Sequence, residues 1–166
     1  MKTLRKRRKE FKTDYGKRVK LLKSEKPRVV FRRTNRYIIA QYVESSEARD
    51  EIKIGVNSKQ LLKFGWPEKN SGSLKSIPAS YLTGYLIGKQ IKNKKLETPI
   101  VDFGMLRTEH KTKPHAFLKG LVDAGIEIKT KEETFPEENR IMGENLKEKI
   151  DIKKIKSSID KEKWQL

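Results

Sequence analysis

The sequence predicts one α/β domain with a mixed sheet, a basic N-terminal arm and a C-terminal helical extension. Three strand-like segments come first, and a helix, a short apolar strand and a second helix follow, which is a β-meander followed by an α-β-α unit. A chain of 166 residues is long enough to bury one core, and no internal repeat divides it. We expect the arm at 1–26, the α/β body at 27–136 and the C-terminal helix and tail at 137–166.

A hairpin and a third strand open the predicted body. The β-rich runs at 28–32 and 37–43 flank Thr34 and Asn35, which favour a tight turn between antiparallel strands. Residues 51–58 alternate isoleucine and valine with lysine and glycine, a pattern that places the apolar side chains on one face of a strand. Three adjacent strands in this order predict an antiparallel part of the sheet.

The first predicted body helix begins near Pro78, because proline is favoured in a first turn. Its apolar residues recur at helical spacing as far as Ile91. Gly84 and Gly88 lie four residues apart on this helix. We interpret them as small residues that let the helix approach the sheet or a neighbouring helix closely.

A buried strand and a second helix complete the predicted body. The short apolar run at 98–104 fits a strand beside the meander. Residues 113–123 carry an apolar face at helical spacing, and Gly125 suits the position after a helix end because glycine tolerates a positive φ. Residues 126–128 are expected to add a brief strand.

The C-terminal extension begins with a predicted helix. Pro136 and the acidic residues after it suit a first helical turn, and we expect this helix to run to about Ile150. Beyond it, Ile152, Ile155 and Ile159 recur at helical spacing. This spacing leaves two alternatives open, a separate short helix or a disordered tail.

Positive charge is concentrated at the N-terminus. The formal net charge is +18, and residues 1–36 hold 16 Lys or Arg against three Asp or Glu. Residues 37–139 hold 16 against 14, so a nearly neutral body carries a strongly basic arm. Self-repulsion of this size indicates a polyanionic partner, either nucleic acid or an anionic membrane surface.

The sequence argues against a membrane partner. No stretch approaches 18 apolar residues, and the N-terminus lacks the apolar region of a secretory signal, so we expect a cytosolic protein. The apolar residues of the arm, Phe11, Tyr15, Val19 and Leu22, form a stripe too narrow for a membrane-surface helix. The absence of cysteine also excludes disulfides and thiolate metal sites.

The arm has the composition of an RNA-binding segment. Its lysines and arginines can neutralise phosphates, while Phe11 and Tyr15 can stack on unpaired bases. The hairpin turn, with Arg32, Arg33 and Arg36, is a second candidate contact. Two alternatives stay open, a generic nucleic-acid-binding protein and, less favoured, a metal-dependent nuclease.

The acidic and histidine residues do not form a catalytic pattern. Asp102, Asp123 and Glu127 are interpreted as capping and surface residues, because metal-assisted cleavage needs convergent ligands and the first predicted strand carries no acid. His110 and His115 are five residues apart, a spacing unlike that of helical metal pairs, so we expect exposed or RNA-facing side chains. We therefore predict no enzymatic activity, no metal site and no cofactor.

Six segments of the chain resemble one protein family. They are, in chain order, KRRKEFKTDYGKRVKLL, KPRVVFRRTNRYIIAQ, PASYLTGYLIG, VDFGMLR, LKGLVDAGIEI and FPEENRIMGENL. From about residue 5 to about residue 147 they resemble the archaeal type of large-subunit ribosomal protein eighteen, which is homologous to eukaryotic large-subunit protein five. Six segments in the right order make this resemblance highly specific.

The resemblance implies a 5S rRNA-binding protein of the central protuberance of the large ribosomal subunit, working in the cytoplasm. The implied fold is an α/β domain of the ribonuclease-H-like type found in translational components, without nuclease chemistry. The implied partners are 5S rRNA, large-subunit rRNA and neighbouring large-subunit ribosomal proteins, including the other 5S rRNA-binding protein.

The resemblance and the charge pattern together define the expected RNA contacts, which fall on the arm and on the hairpin turn. They are Arg5, Lys6, Arg7, Arg8, Lys9, Lys12, Thr13, Tyr15, Arg18, Lys20, Arg32, Arg33, Thr34, Asn35 and Arg36. Residues 107–115 and 129–134 depart from the family pattern, so no contact is carried over to them.

Overall fold

The computed structural model describes residues 6–10, 12–47, 49–146 and 149–162 of an α/β domain. Its four strands form one mixed, open sheet in the order β3-β2-β1-β4. The strands are β1 Arg28–Arg33, β2 Ile38–Ser46, β3 Arg49–Asn57 and β4 Ile100–Asp102. β1 pairs antiparallel with β2 and parallel with β4, and β2 pairs antiparallel with β3. The predicted hairpin, third strand and mixed sheet are confirmed.

Six α-helices lie within the described residues. They are α1 Lys6–Lys9, α2 Tyr15–Lys23, α3 Ile77–Asn93, α4 Lys113–Asp123, α5 Glu138–Ile141 and α6 Ile152–Lys161. Short 3₁₀ helices at Ser58–Phe64, Glu68–Ser73 and Glu132–Thr134 lie in the connections. The two helices predicted for the body correspond to α3 and α4. In the described part of the chain, no helix has both the length and the apolar character needed to cross a membrane.

Helix α3 is the centre of the domain. Ser76 caps its N-terminus by accepting a hydrogen bond from the Ala79 amide, and Pro78 occupies the first turn as predicted. The helix is buried on nearly every side because it packs against β2, β3, α4 and α6. A Cβ atom at Gly84 would overlap the Phe117 carbonyl oxygen, which confirms that this glycine allows the close approach of α4.

The core lies between one face of the sheet and helices α3 and α4. Phe31 of β1 is fully buried on this face, and its ring centroid lies 4.8 Å from that of Phe117 in α4. Alternate residues of a strand point to opposite faces, so Arg28 and Arg32 lie on the other side of β1, where both approach Asp102. β1 thus separates an apolar core from a charged face.

The predicted alternation of β3 is wrong at Ile52. This side chain is 54% exposed, whereas Ile54 is buried as expected. The cause is a β-bulge, because Tyr42 pairs with Ile54 while the next residue, Val43, pairs with Ile52. The register shift leaves Lys53 without an opposite residue and turns the preceding side chains to the other face.

The prediction of a helix from Pro136 to Ile150 is wrong. Among the described residues of this range, only the single turn of α5, Glu138–Ile141, is helical, and the chain then changes direction at Gly143, which has a left-handed φ of +78°. Ile150 lies in a non-helical segment before α6. The brief strand predicted at 126–128 is also wrong, because these residues form an irregular segment after α4.

The structure decides between the two alternatives for the C-terminal isoleucines in favour of a helix. Helix α6 buries Ile152, Ile155 and Ile159 and packs against α3. Asp160 adds a polar contact by accepting a hydrogen bond from the Tyr85 hydroxyl at 2.7 Å. The amphipathic pattern is therefore used to cover α3.

Candidate nucleic-acid interface

The arm contributes a helix that lies against the charged face of the sheet. Asp14 caps α2 by accepting hydrogen bonds from two backbone amides of the first turn at 3.0 and 3.2 Å. The Lys17 ammonium donates to the Gly104 carbonyl at 3.3 Å, and Arg18 donates to Asp50 at 3.0 Å. Polar contacts therefore join the arm to both β3 and the end of β4.

A chain of ion pairs runs from the arm to the end of β1. The Asp50 carboxylate lies 3.0 Å from the Arg18 guanidinium and 2.8 Å from that of Arg28. Asp102 lies 4.0 Å from Arg28 and 2.9 Å from Arg32. Arg28 is only 3% exposed, and a buried positive charge is costly unless it is paired. The carboxylates of Asp50 and Asp102 provide this pairing. This chain positions α2 on the body.

The two carboxylates in this series of ion pairs, Asp50 and Asp102, each have a pKa below the ordinary value of an aspartate side chain. Burial by itself raises the pKa of Asp102, but the Gly104 amide and the Arg32 guanidinium outweigh it. Burial likewise raises the pKa of Asp50, and the Ser45 hydroxyl with two nearby guanidinium groups outweighs it. Both groups are therefore ionised at neutral pH and hold their cations in place.

A small cleft of about 160 Å³ lies between the arm and the body, and we call it the arm cleft. Six cationic side chains line the cleft, and the carboxylates that line it are those of Asp14 and Asp102. The cations are Arg7, Lys12, Lys17, Arg18, Arg28 and Arg32. Cations in this excess attract phosphate groups.

The hairpin turn presents a second group of polar and cationic side chains. Thr34 closes the turn, because its hydroxyl accepts a hydrogen bond from the Tyr37 amide and donates one to the Tyr37 carbonyl, both at 2.9 Å. Arg33, Asn35 and Arg36 are exposed around this turn. The tight turn predicted from the sequence thus directs three potential RNA contacts to solvent.

Arg32 belongs to the arm cleft rather than to the hairpin turn. Its guanidinium donates to the carbonyl oxygens of Phe31 and Asp102 at 2.8 and 2.9 Å, and to the Asp102 carboxylate at 2.9 Å. The side chain is still 44% exposed, so one edge faces the cleft. Sequence reasoning had grouped it with Arg33 and Arg36.

Most predicted contacts of the arm are exposed. The exposed cations are Lys6, Arg7, Lys9, Lys12 and Lys20. Thr13 and Tyr15 are half-buried, and the Thr13 hydroxyl accepts a hydrogen bond from the Arg7 guanidinium at 3.0 Å. Arg5 and Phe11 lie outside the described residues, as does the side chain of Arg8.

The structure brings further cations to the end of β1 that sequence reasoning missed. They are Lys75, Arg107, Lys111, Lys113 and Arg140. Lys75 lies at the hairpin turn, where its ammonium donates to the Asn35 carbonyl at 2.8 Å. These residues come from separate segments of modest net charge, so no run of basic residues marks them in the sequence.

Two of the acidic residues have structural partners. Asp102 is buried, contrary to its interpretation as a surface residue, and it accepts a hydrogen bond from the Gly104 amide at 2.8 Å. Asp123 accepts one from the Tyr81 hydroxyl at 2.7 Å and pairs with Lys119 at 3.3 Å. Among the residues that the structure describes, no group of three or more His, Asp or Glu side chains is placed to hold a metal ion.

The two histidines form a stacked pair. The ring centroids of His110 and His115 lie 5.5 Å apart. His110 is exposed as predicted, but His115 is half-buried, and burial lowers its pKa against the opposing effect of a hydrogen bond with the backbone of Glu109. This pair is a packing contact of the loop that leads into α4.

Comparisons with known proteins agree on one family. The family model described as "Ribosomal large subunit proteins 60S L5, and 50S L18" matches residues 1–101. The chain is 46% identical to large ribosomal subunit protein uL18 of Korarchaeum cryptofilum, over 84% of this chain and 70% of the relative. It is 42% identical to the protein of the same name from Methanosphaera stadtmanae, over 85% and 71%, and 39% identical to that from Methanoregula boonei, over 84% and 78%.

Proposed function

The chain belongs to the family of ribosomal large subunit proteins 60S L5 and 50S L18, and on this premise we propose that it is a structural constituent of the large ribosomal subunit that binds 5S rRNA. In this role it helps to attach 5S rRNA to the large-subunit rRNA in the central protuberance of cytoplasmic ribosomes. Neighbouring ribosomal proteins, including the other 5S rRNA-binding protein, are its protein partners. The domain is of the ribonuclease-H-like type of translational components and has no enzymatic activity.

The observation that carries this proposal is the gathering of cations at one end of a domain with this family's sequence. The arm cleft runs along the charged face of β1 from Arg28 to Arg32, and the hairpin turn follows at the carboxyl end of the same strand. A chain with a net charge of +18 that concentrates its cations on one side has the electrostatic footprint of an RNA-binding protein.

The cations of this end have two different roles. Lys17, Arg18 and Arg28 bind protein acceptors and hold α2 on the body. Lys9 and Lys20 are exposed and form no ion pair with any described residue, so they are free to neutralise phosphates. The first group therefore preorganises the surface on which the second group binds RNA.

Selectivity for 5S rRNA comes from groups that do more than neutralise charge. The Tyr15 ring on the arm helix offers a stacking surface for an unpaired base. Thr13 and Asn35 offer hydrogen-bonding groups beside the cations of the arm cleft and the hairpin turn. These three residues are expected to separate 5S rRNA from other polyanions.

The test is a titration of the full chain with 5S rRNA at several salt concentrations. Six to ten phosphate contacts predict that the affinity falls by roughly 10³–10⁵ between about 50 and 200 mM salt, by analogy with DNA. A salt slope near zero would remove the proposal. Random RNA of the same length and duplex DNA serve as controls, and equal affinity for all three would indicate a generic nucleic-acid-binding protein.

A metal-dependent nuclease fits the same end of the sheet less well. The carboxylate of Asp102 already accepts hydrogen bonds from the Gly104 amide and the Arg32 guanidinium. Incubation of the chain with Mg²⁺ and 5S rRNA is therefore expected to give no cleavage above the buffer background. Cleavage that Asp102→Ala abolishes would establish the enzyme instead.

A further inference from the structure

A second groove, with a volume of about 610 Å³, opens where β1 ends and α4 begins. Its walls come from β1, the loop at 105–112, the first turns of α3 and α4, and α5. We call it the α4 groove. Among the described residues, five Lys or Arg side chains and one carboxylate, that of Glu109, line the groove. The five are Arg33, Arg107, Lys111, Lys113 and Arg140.

Four of these cations have no carboxylate counter-ion among the residues that the structure describes. Lys111 pairs with Glu137 at 3.3 Å. The other four form no ion pair with a carboxylate anywhere in the described ranges of the chain. Burial lowers the pKa of Lys113, and the neighbouring charges of Arg33 and Lys75 lower it further. Like charges held together in this way indicate a surface built for an anionic ligand.

The floor of the α4 groove is apolar. Phe31 is fully buried beneath it, Ile77 and Leu106 are half-buried, and Met105 is 47% exposed. An unpaired RNA segment matches both features, because its phosphates can meet the cations while its bases and sugars cover the apolar floor. A duplex keeps its bases stacked inside, so it would leave Met105 uncovered.

The α4 groove adjoins the arm cleft. Met105 lines both cavities, and neighbouring residues of β1 divide between them, Arg32 in the cleft and Arg33 in the groove. We propose that the α4 groove binds an unpaired segment of the same RNA that the arm holds, so that the RNA-binding surface continues past the end of β1. This inference rests on the proposed function, and it assigns contacts to residues 107–113, where this sequence departs from the family pattern.

The test compares two double variants of the full chain in 5S rRNA binding. R107Q/K113Q removes two charges from the α4 groove, and K153Q/K154Q removes two exposed charges from α6. Each phosphate contact to a single strand contributes about 0.7 to the salt slope, so the groove variant is expected to lose roughly 10–30-fold in affinity at about 0.1 M salt. The α6 variant is expected to lose less than about threefold, because it loses only long-range attraction. A groove variant that loses no more than the α6 variant overturns the inference.

A charge-conserving variant separates charge from packing. R107K/K113R keeps both charges and is expected to bind 5S rRNA within about threefold of the wild type, because phosphate neutralisation needs the charge. The unfolding midpoint of each variant, measured by circular dichroism, is expected to match that of the wild type. If R107K/K113R loses as much affinity as R107Q/K113Q, the loss reflects packing and the inference is wrong.

Photocrosslinking locates the RNA directly. Benzoylphenylalanine placed at His110, which is exposed and lines the α4 groove but not the arm cleft, is expected to crosslink to 5S rRNA. The same group at Ile52, which is 54% exposed on β3, is not expected to do so. Crosslinking from His110 to protein instead of RNA in the purified large subunit would overturn the inference. If the wild-type chain binds 5S rRNA and random RNA equally well, the proposed function itself is wrong. This result differs from the failure of the α4 groove alone, in which the wild-type chain still prefers 5S rRNA.

Discussion

The two ends of the paired strands β1 and β4 carry opposite charge. At their carboxyl ends, the hairpin turn and the α4 groove gather cations. The arm cleft lies along β1 between the two ends, since Arg28 and Arg32 both line it. At their amino ends, a cavity of about 550 Å³ is lined mainly by carboxylates. These are Glu25, Glu44, Glu47, Asp50, Glu51 and Glu97. A domain with a net charge of +18 therefore keeps a distinct acidic end.

Neighbouring charges add to the effect of burial on the pKa of one group at each end. At the acidic end, burial together with the charges of Glu44 and Glu97 raises the pKa of Tyr42 to about 12. At the basic end, burial and the charge of Arg33 lower the pKa of Lys113. The total charge supplies attraction to any polyanion, and its separation along β1 decides which end of the domain meets that polyanion.

The largest effect is expected when the basic end loses its arm charges. Replacing Lys6, Arg7, Lys9 and Lys12 by Gln removes up to four phosphate contacts, so the affinity for 5S rRNA is expected to fall roughly 10²–10³-fold at about 0.1 M salt. Random RNA is expected to lose affinity in parallel, because these contacts do not read sequence. A fluorescence titration measures both, with K153Q/K154Q as the control. If the arm variant bound 5S rRNA with wild-type affinity, the proposal that the arm cations bind this RNA would be wrong.

The next largest effect is expected on the free energy of unfolding, when Asp102 is replaced. Asp102→Asn leaves the buried Arg28 with Asp50 as its remaining close carboxylate, so the free energy of unfolding is expected to fall by about 1–3 kcal/mol. Urea denaturation at neutral pH measures it. Asp151→Asn, at an exposed helix cap, is the control and is expected to lose less than about 1 kcal/mol. Equal losses would contradict the special role of Asp102.

The same carboxylate predicts a dependence of stability on acid. The pKa of Asp102 lies lower in the folded chain than in the unfolded chain. Its stabilisation is therefore present above the unfolded pKa of about 4 and is lost as the pH falls through the lower folded value. Below about pH 4, the free energy of unfolding is expected to fall more steeply for the wild type than for Asp102→Asn. Parallel curves in urea denaturation across this range would show that the carboxylate is not involved.

A smaller and more selective effect is expected at Tyr15. Base stacking contributes about 1–3 kcal/mol per base, so Tyr15→Ala is expected to weaken 5S rRNA binding by about tenfold and to leave random RNA nearly unchanged. Val19→Ala, on the exposed side of the same helix, is the matched control and is expected to change neither affinity. Equal losses for both RNAs in Tyr15→Ala would mean that the ring does not confer selectivity.

The smallest effect is expected at the acidic end. The triple variant E44Q/E47Q/E51Q is expected to keep its 5S rRNA affinity within about threefold of the wild type, because these carboxylates line none of the proposed RNA-binding surfaces and salt screens exposed charges beyond about 8–10 Å. Competition between 5S rRNA and random RNA measures whether selectivity is kept. A change of more than about tenfold in either direction would show that the acidic end takes part in binding.

The elements predicted correctly have local causes. The turn chemistry of Thr34 is enough for the hairpin, and Pro78 and Gly125 mark helix ends through their own backbone preferences. The errors lie where a distant contact decides. The bulge that exposes Ile52 depends on pairing with β2, and a Cβ atom at Gly143 would meet the side chain of Pro78 at 3.2 Å, so packing on α3 sets the turn that ends α5.

The sequence by itself determined the class of partner, the basic arm and the hairpin turn, because net charge and its position along the chain are properties of the sequence. Only the tertiary structure decided that Asp102 is buried beside Arg28, and that Arg107 and Lys113 join Arg33 in one groove. The physical reason is that the interaction between charges depends on their separation in space and on their exposure to water, and the fold sets both.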